Sequence, residues 1–594
     1  MHRLRALPVA IAILITLYGG LLRFEALAVG YGWTGQPEWG KTLERTLVPV
    51  ARTLRPASIA WHPYPQPYVG GDPVNYIRYA REMTHFYQAH VREPVFLAST
   101  KLFLWLTGGR DIAVSYASAL AGTLAIFAVF LLGATAFSPL VGLGAAFALA
   151  VEHGAITWSA DGWRDDTFML FVTLSAWSLV KLQQEPSHNR AIVAGIMCAA
   201  ACLTRISAIS FLVPALIWMS FFPRLRRADL RPPLLVAALI SAGLVAPYMI
   251  NCWRVFGDPL HALNYHARYY RHAEGLPSDE SVGAFEYAAS KLATRPIATL
   301  DTAAQGLVTV PFTNKWTGWA HWSGIVGPVL QSLSAAGAVL ALWSPHGRLL
   351  ILILFSSLVP YALTWSLGGG GEWRFTQHVY PIYLVFAFTT IAVGVEFGRA
   401  VLVERKRVVI SRPLLARIAA MAIVVVMGAA AYSFAPLLMA REALAAGVAV
   451  SITAGERDGW FFEGNWSGPI DYGNVAVRVA QANLVDIRLP LADNAYVLTL
   501  RMDPPLTADP VRQPKITVFL NRHQLAELTL VRDPARMGSY RIQVPRDIVK
   551  PLSRLELLAS HTVPAAEAGI PFESLPRDTP VAFRLWYVRL EPAK

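Results

Sequence analysis

The chain has 594 residues, of which 54% are hydrophobic and only 15% charged. A soluble domain carries about a quarter charged residues, so this composition excludes an ordinary globular protein, and the length exceeds one core. The formal charge of +13 does not indicate nucleic acid, because Lys and Arg gather in short segments between apolar runs, as topology determinants do.

Apolar runs long enough to cross roughly 30 Å of hydrocarbon are predicted at 7–29, 112–136, 139–158, 166–182, 191–204, 206–222, 232–251, 323–344, 348–366, 376–397 and 418–437, about eleven spans in all. The pair at 191–222 is interrupted by Arg205. Arg3 and Arg5, Arg224, Arg226, Arg227 and Arg231, then Arg399, Arg405, Lys406, Arg407, Arg412 and Arg417 fall on one side, which the Lys/Arg bias makes cytoplasmic. The first loop 30–111, the short loop 159–165, the large loop 252–322, the GGGGEWR connection and everything after 437 then lie outside. Ala26-Leu27-Ala28 resembles a signal-peptide cleavage site, but Arg23 and Glu25 just before it favour a retained span. Cys198, Cys202 and Cys252 lie in or beside apolar spans and read as small packing residues.

From about 445 the texture changes. KITVFLN (515–521), YRIQV (540–544), RLELL (554–558) and VAFRLWYVRL (581–590) alternate with the period of two of half-buried strands, with turn chemistry at Asn521 and Asp533-Pro534. The expectation is a transmembrane domain over 1–440 and an external β-sandwich of jelly-roll type over 445–594. Trp460, Phe461, Trp466 and Trp586 have the chemistry to stack on sugars, although core packing is the favoured reading. Asn465-Trp466-Ser467 matches a glycosylation acceptor, a tripeptide too common to carry weight.

Four outer segments hold groups capable of chemistry. In GGDPVNYIRYAREM, Asp72-Pro73 predicts a helix start with Asp72 as cap and Pro73 first in the helix. Such a carboxylate at a loop edge also stays available to a substrate. Glu93 stands before Pro94 at another expected helix start. In WRDD, Asp165 and Asp166 follow Arg164 at the mouth of a span, where unpaired acids are costly, so either function or an ion pair with Arg164 explains them. Arg268 and Arg271, and Arg374 with His378 one turn later, supply cationic groups suited to a phosphate. There is no G-x-x-x-x-G-K-[ST], so nothing supports an ATP-driven mechanism.

Taken in order, GGDPVNYIRYAREM, the REP segment, WRDD, APYMINCWRVFGDPL (246–260) and EWRFTQHVYPIY resemble the GT-C membrane glycosyltransferases. The likeness is to the bacterial protein O-mannosyltransferase-like and aminoarabinose-transferase-like (glycosyltransferase family 39-like) branch, and it covers about 1–440. The tail resembles the carbohydrate-binding-type jelly rolls that some members append.

The resemblance implies transfer of a sugar from a polyprenyl-phosphate donor to a glycan, lipid or protein hydroxyl. That reaction belongs at the outer, periplasmic face of the bacterial cytoplasmic membrane, within membrane lipid and without nucleic acid. It further implies Asp72 as catalytic base, with Asp166, Asp165 and Glu93 as further acidic site residues. Arg374 is implied at the donor phosphate, with His378, Arg268, Arg271 and Arg164 as candidate helpers. Relatives differ in metal use, so a divalent cation such as Mg or Mn on Asp72 and Asp166 is an open expectation rather than a requirement. Direct displacement by the acceptor predicts inversion at the anomeric carbon. The competing classes are a flippase for lipid-linked glycan and a non-catalytic glycan-binding membrane protein. Charges gathered in outer loops and the lack of an evident internal repeat favour the enzyme.

Overall fold

The computed structural model describes the chain except residues 1, 57–58, 60, 62–70, 222–229, 274–281, 309–325, 358–373, 403–411, 456–457, 473–474, 506–513, 531–537, 569, 571–573 and 594. The chain divides into two compact units, one of Met1–Ser290 with Thr302–Val409, the other of Lys291–Asp301 with Ile410–Lys594. The change of texture near 440–445 thus lies inside the second unit, which takes in the last long helix as well as the strands.

The first unit is helical. In order come α1 (His2–Gly35), α2 (Glu38–Leu54), α3 (Asp72–Glu82), α4 (Pro94–Leu106), α5 (Ala113–Ala136), α6 (Pro139–Val151), α7 (His153–Asp161), α8 (Asp165–Gln184) and α9 (His188–Thr204). There follow α10 (Ile209–Phe221), α11 (Arg231–Phe256) and α12 (His261–Ala273); α13 (Ala284–Thr294) and α14 (Pro296–Val308) cross the unit boundaries. The unit then resumes with α15 (Val326–Ala341), α16 (Pro345–Ser356), α17 (Arg374–Gln377) and α18 (Tyr380–Leu402).

The described parts of the eleven expected spans fall largely on helix, with 222, 323–325 and 358–366 outside the described residues. Among the described residues, four helical segments are long and apolar enough to cross a membrane: Ala6–Tyr31, Ala113–Ala136, Arg231–Phe256 and Tyr380–Arg399. The pair α6 and α7, bent by 57° at its break, makes a fifth. The remaining expected spans lie on helices that are shorter, more polar or incompletely described. Four of the five apolar helices of 10–17 residues carry such spans, and the fifth, Pro94–Leu106, lies in the expected first outer loop. The protein is a polytopic helical membrane protein with an appended β-sandwich.

Small residues let the helices of the first unit meet. A Cβ on Gly133 of α5 would lie 2.8 Å from the Gly142 Cα of α6, and one on Gly337 of α15 would overlap the Phe386 carbonyl of α18. Close backbone approach replaces the hydrophobic drive that is missing between helices in lipid. The bend between α6 and α7 has a polar cause: Glu152, fully buried, caps α7 by accepting from the Ala155 N–H at 2.5 Å. Gly162 (φ 85°) then ends α7 in the left-handed conformation and frees the chain to enter WRDD.

The second unit carries α19 (Arg412–Ala445) and a sandwich of two antiparallel sheets. Its strands are β1 (Val450–Thr453), β2 (Phe462–Glu463), β3 (Ile470–Tyr472), β4 (Val475–Val479), β5 (Leu484–Leu489), β6 (Tyr496–Asp503), β7 (Lys515–Leu520), β8 (His523–Thr529), β9 (Ser539–Val544), β10 (Ser553–Ala559), β11 (Val563–Pro564), β12 (Pro580–Val581) and β13 (Arg584–Pro592). One sheet runs β3-β4-β13-β6-β9 with β1 also on β13; the other runs β2-β5-β10-β7-β8. Strands β4 to β10 and β13 interleave between the sheets in jelly-roll order.

The alternating positions fill the space between the sheets: Val485, Ile487 and Leu489 of β5, Ile516, Val518 and Leu520 of β7, and Leu498, Leu500 and Met502 of β6 are all buried. Asn521 (φ 50°) and Arg522 (φ 72°) make a two-residue hairpin turn between β7 and β8, the geometry that suits the strand twist. Asp533-Pro534 lies outside the described residues. The expected run 581–590 is two strands, because the chain leaves β12 before β13 begins.

Candidate active site

The polar residues of the first unit converge at the N-terminal ends of α3, α4 and α8 and at the short turn Ile206–Ala208. Asp72 does not cap α3. Gly71, with φ 65° and ψ −145°, takes the cap position, and Asp72 is the first helical residue with Pro73 second. A left-handed φ before Asp-Pro suits glycine and shifts the helix start by one residue. The Asp72 side chain, 33% exposed, lies 3.6 Å from Arg92 Nη2 and accepts from the Tyr76 hydroxyl at 3.4 Å.

Glu93 stands at the cap of α4 but does not bond its own helix. Its carboxylate, almost fully buried, accepts from Arg164 Nη1 at 2.6 Å and from the Ile206 N–H at 2.7 Å. One side chain therefore ties α4, the start of α8 and the turn after α9.

Asp165 and Asp166 point to different partners. Asp165 Oδ1 accepts from Arg205 Nη2 at 2.8 Å. Asp166 accepts from Ser118 Oγ of α5 at 3.0 Å and from Gln377 Nε2 of α17 at 2.8 Å. Beside it lies Arg23 of α1, which donates to Ser159 at 3.1 Å. Consecutive helical residues sit about 100° apart, so adjacent acids on one helix face different neighbours. The predicted Arg164–carboxylate pair exists, but its partner is Glu93.

Four arginines, Arg23, Arg92, Arg164 and Arg205, face the four acids of this cluster. The Nε atoms of Arg92, Arg164 and Arg205 and the Asp165 Oδ2 are buried without hydrogen-bond partners among the described residues. The Arg92 and Arg164 guanidinium groups lie 5.9 and 6.0 Å from the Tyr76 ring centre. Burial pushes the Tyr76 hydroxyl up to about 12, which keeps it a neutral donor to Asp72. Arg92 Nη1 also meets His266 Nε2 of α12 at 2.6 Å. Because arginine only donates, that imidazole nitrogen accepts.

The expected phosphate-binding residues divide. Arg271 is buried and Arg268 half-buried on α12, the latter with a buried Nε that has no hydrogen-bond partner among the described residues. His378 is packed against the rings of Phe168 (4.9 Å) and Phe211 (5.6 Å). The Arg374 side chain and the GGGG run lie outside the described residues.

As a metal cradle the donor set does not fit. Asp72 is faced by Arg92, Asp166 by Arg23, and the two acids belong to separate hydrogen-bonded groups. Among the described residues, no three His, Cys, Asp or Glu side chains gather to hold an ion.

Sequence reasoning did not assign roles to Arg23, Arg92, Arg205, Tyr76, His266 or Gln377. Arg23 and Arg205 carried a readable signal, since a charge inside an apolar run requires an opposite partner.

Of the four aromatics singled out in the tail, Phe461 and Trp466 are buried in the sandwich core. Trp586 donates to Asp503 at 2.6 Å and lies under Arg501, while Trp460 is 41% exposed and meets Phe434 edge to face.

Residues 91–251 match the family model described as dolichyl-phosphate-mannose-protein mannosyltransferase, which covers the REP segment, WRDD and the start of the 246–260 segment. No curated protein sequence matches the chain. The chain is similar in structure to the oligosaccharyltransferase of Archaeoglobus fulgidus, solved with Zn and sulfate (TM-score 0.39, 15% identity, 66% of this chain and 50% of that one). It is also similar to ArnT from Cupriavidus metallidurans (TM-score 0.29, 13% identity, 56% and 74%). A third likeness is to the arabinosyltransferase EmbB of Mycobacterium smegmatis (TM-score 0.27, 10% identity, 98% and 64%). The chain spans about half the length of the first of these.

Proposed function

We propose that the helical unit is a GT-C-type glycosyltransferase. It moves a sugar from a polyprenyl phosphate to an acceptor hydroxyl at the outer face of a bacterial cytoplasmic membrane, with Asp72 as the base. The match of residues 91–251 to a mannosyltransferase model supports the reaction class.

One observation supports the choice of base. Of the four acids, Glu93 and Asp165 are buried with a strong arginine bond each, and Asp166 is buried with three polar neighbours. Asp72 alone keeps partial exposure, 3.6 Å from Arg92. A carboxylate already bonded to a buried guanidinium is a poor proton acceptor, and one at a loop edge can reach a substrate hydroxyl. We therefore assign Asp72 to chemistry, and Glu93, Asp165 and Asp166 to holding the ends of α4 and α8 in place.

In the proposed step the acceptor oxygen attacks the anomeric carbon as Asp72 takes its proton. The bond to the phosphate oxygen breaks with its electron pair, leaving polyprenyl phosphate. A phosphate leaves without a general acid, but its growing charge needs fixed positive charge nearby. Arg268 and Arg271 on α12, with Arg374, are assigned that role. We assign His378, held against two phenyl rings, to packing. No step is routed through a metal.

Asp72→Asn tests the reading. Consumption of a labelled polyprenyl-phosphate sugar by the purified protein should fall by at least about 100-fold. Unfolding in detergent should not change, because the side chain is partly exposed. Near-normal turnover removes Asp72 as base.

A further inference from the structure

Helices α9, α10 and α11 enclose an open, mainly apolar groove of about 640 Å³. Leu216 and Ile217 of α10 and Leu235 and Ala238 of α11 form its walls, and Cys202 of α9 lies in its floor. Ile217, Leu235 and Phe221 are more than half exposed, so the groove opens sideways from the bundle. One end carries Arg231, the exposed first residue of α11. The other end, near Ile209 and Met249, lies toward the Ile206 turn that Glu93 holds.

We infer that this groove is a binding site for an anionic glycerophospholipid, with one acyl chain along α10 and α11 and the headgroup phosphate on Arg231. Length and charge carry the inference. The 13 residues of α10 rise about 20 Å at 1.5 Å each. Half of a bilayer's hydrocarbon is about 15 Å thick, so the groove is long enough for the acyl chain of a lipid in one leaflet. A basic group at the mouth of an apolar cleft between transmembrane helices selects anionic headgroups. The Lys/Arg distribution places that mouth in the cytoplasmic leaflet, opposite the face assigned to Asp72. The lipid is thus neither donor nor product of the proposed transfer, and the inference stands apart from that reading.

The full chain in micelles, exposed to equal phosphatidylglycerol and phosphatidylcholine, tests it by native mass spectrometry. The wild type should retain phosphatidylglycerol at least threefold over phosphatidylcholine. Arg231→Ala should erase that preference, and Arg231→Lys should keep most of it. Ala238→Trp, which fills the groove, should lower retention of both lipids. Equal retention by the wild type, or a preference that survives Arg231→Ala, overturns the proposal. A polyprenyl lipid co-purifying with the wild type and lost in Ala238→Trp overturns it in favour of a donor groove. Should Ala238→Trp fail to fold, the Arg231 pair still decides.

Discussion

Glu93→Ala tests whether this acid works by holding the structure together. Glu93 neutralises the buried guanidinium of Arg164 and satisfies the Ile206 N–H. Removing one partner of a buried ion pair costs about 3–5 kcal/mol, because the other charge is stranded. Orphaning a buried N–H adds about 1–3 kcal/mol. The two together come to about 4–8 kcal/mol, and entry of water into the vacated volume brings the expected loss toward the low end. Against a typical domain stability of about 5–15 kcal/mol, that is a large fraction.

The assay is unfolding in mixed micelles by SDS titration, followed by tryptophan fluorescence. Arg164→Met removes the stranded charge, so the double variant should lose less than the sum of the singles by about 1–3 kcal/mol. Glu93→Gln fills the same volume and keeps one of the two acceptor oxygens, so it should hold turnover within about tenfold, unlike Asp72→Asn. Additive losses, or a Glu93→Ala variant within about 0.5 kcal/mol of wild type, refute the account. Loss of turnover in a stably folded Glu93→Gln variant would return Glu93 to the chemistry.

Gly122→Ala puts a methyl 2.5 Å from Ser159 Oγ and 3.0 Å from both Arg23 Nε and Asp166 Oδ1. It should destabilise the helical unit by about 1–3 kcal/mol, read in the same titration. His90, held below the usual histidine range by burial and then by Arg92, receives the Arg92 N–H on Nδ1 and meets the Tyr79 ring. Its contribution is complete above the unfolded value of about 6.5 and is lost as pH falls below it. Unfolding midpoints should therefore drop between pH 7 and 5, and His90→Gln should flatten that slope. In the sandwich, Arg478 clasps Asp458 through two nitrogens, at 2.6 and 2.5 Å, and the Gly455 N–H donates to the same carboxylate at 2.8 Å. Asp458→Ala should cost about 3–5 kcal/mol in the second unit's unfolding while leaving the response to Asp72→Asn unchanged.

What was legible in the sequence follows from locality. The strands β7, β9 and β10 announce themselves because alternation is a property of neighbouring residues, and Asn521 marks its hairpin for the same reason. The helix starts at Asp72, Glu93 and Asp165 were readable from Pro and acidic residues at their ends. The partners of those acids were not. Asp166 is satisfied by Ser118, Gln377 and Arg23, residues spread over three helices, and no local pattern encodes that meeting. Arg205 reads as a defect in a span until Asp165 is seen beside it. The one-residue shift at Asp72 has a smaller cause: a left-handed Gly71 is not distinguishable from any other glycine in sequence.

β13 is the last strand in chain order and sits in the interior of its sheet, between β6 on one side and β1 with β4 on the other. Pairs such as Val450 with Leu590 join the two extremes of the sandwich. Such nonlocal closure is slow, because most of the loop entropy is spent before the contacts repay it. During synthesis, then, β1, β4 and β6 emerge with open edges and must wait for a keystone still inside the ribosome or translocon. A nonsense mutation between the end of β6 at Asp503 and the start of β13 at Arg584 would leave those edges without their partner and exposed to aggregation and proteolysis. For this module, being made in full is a condition of folding at all.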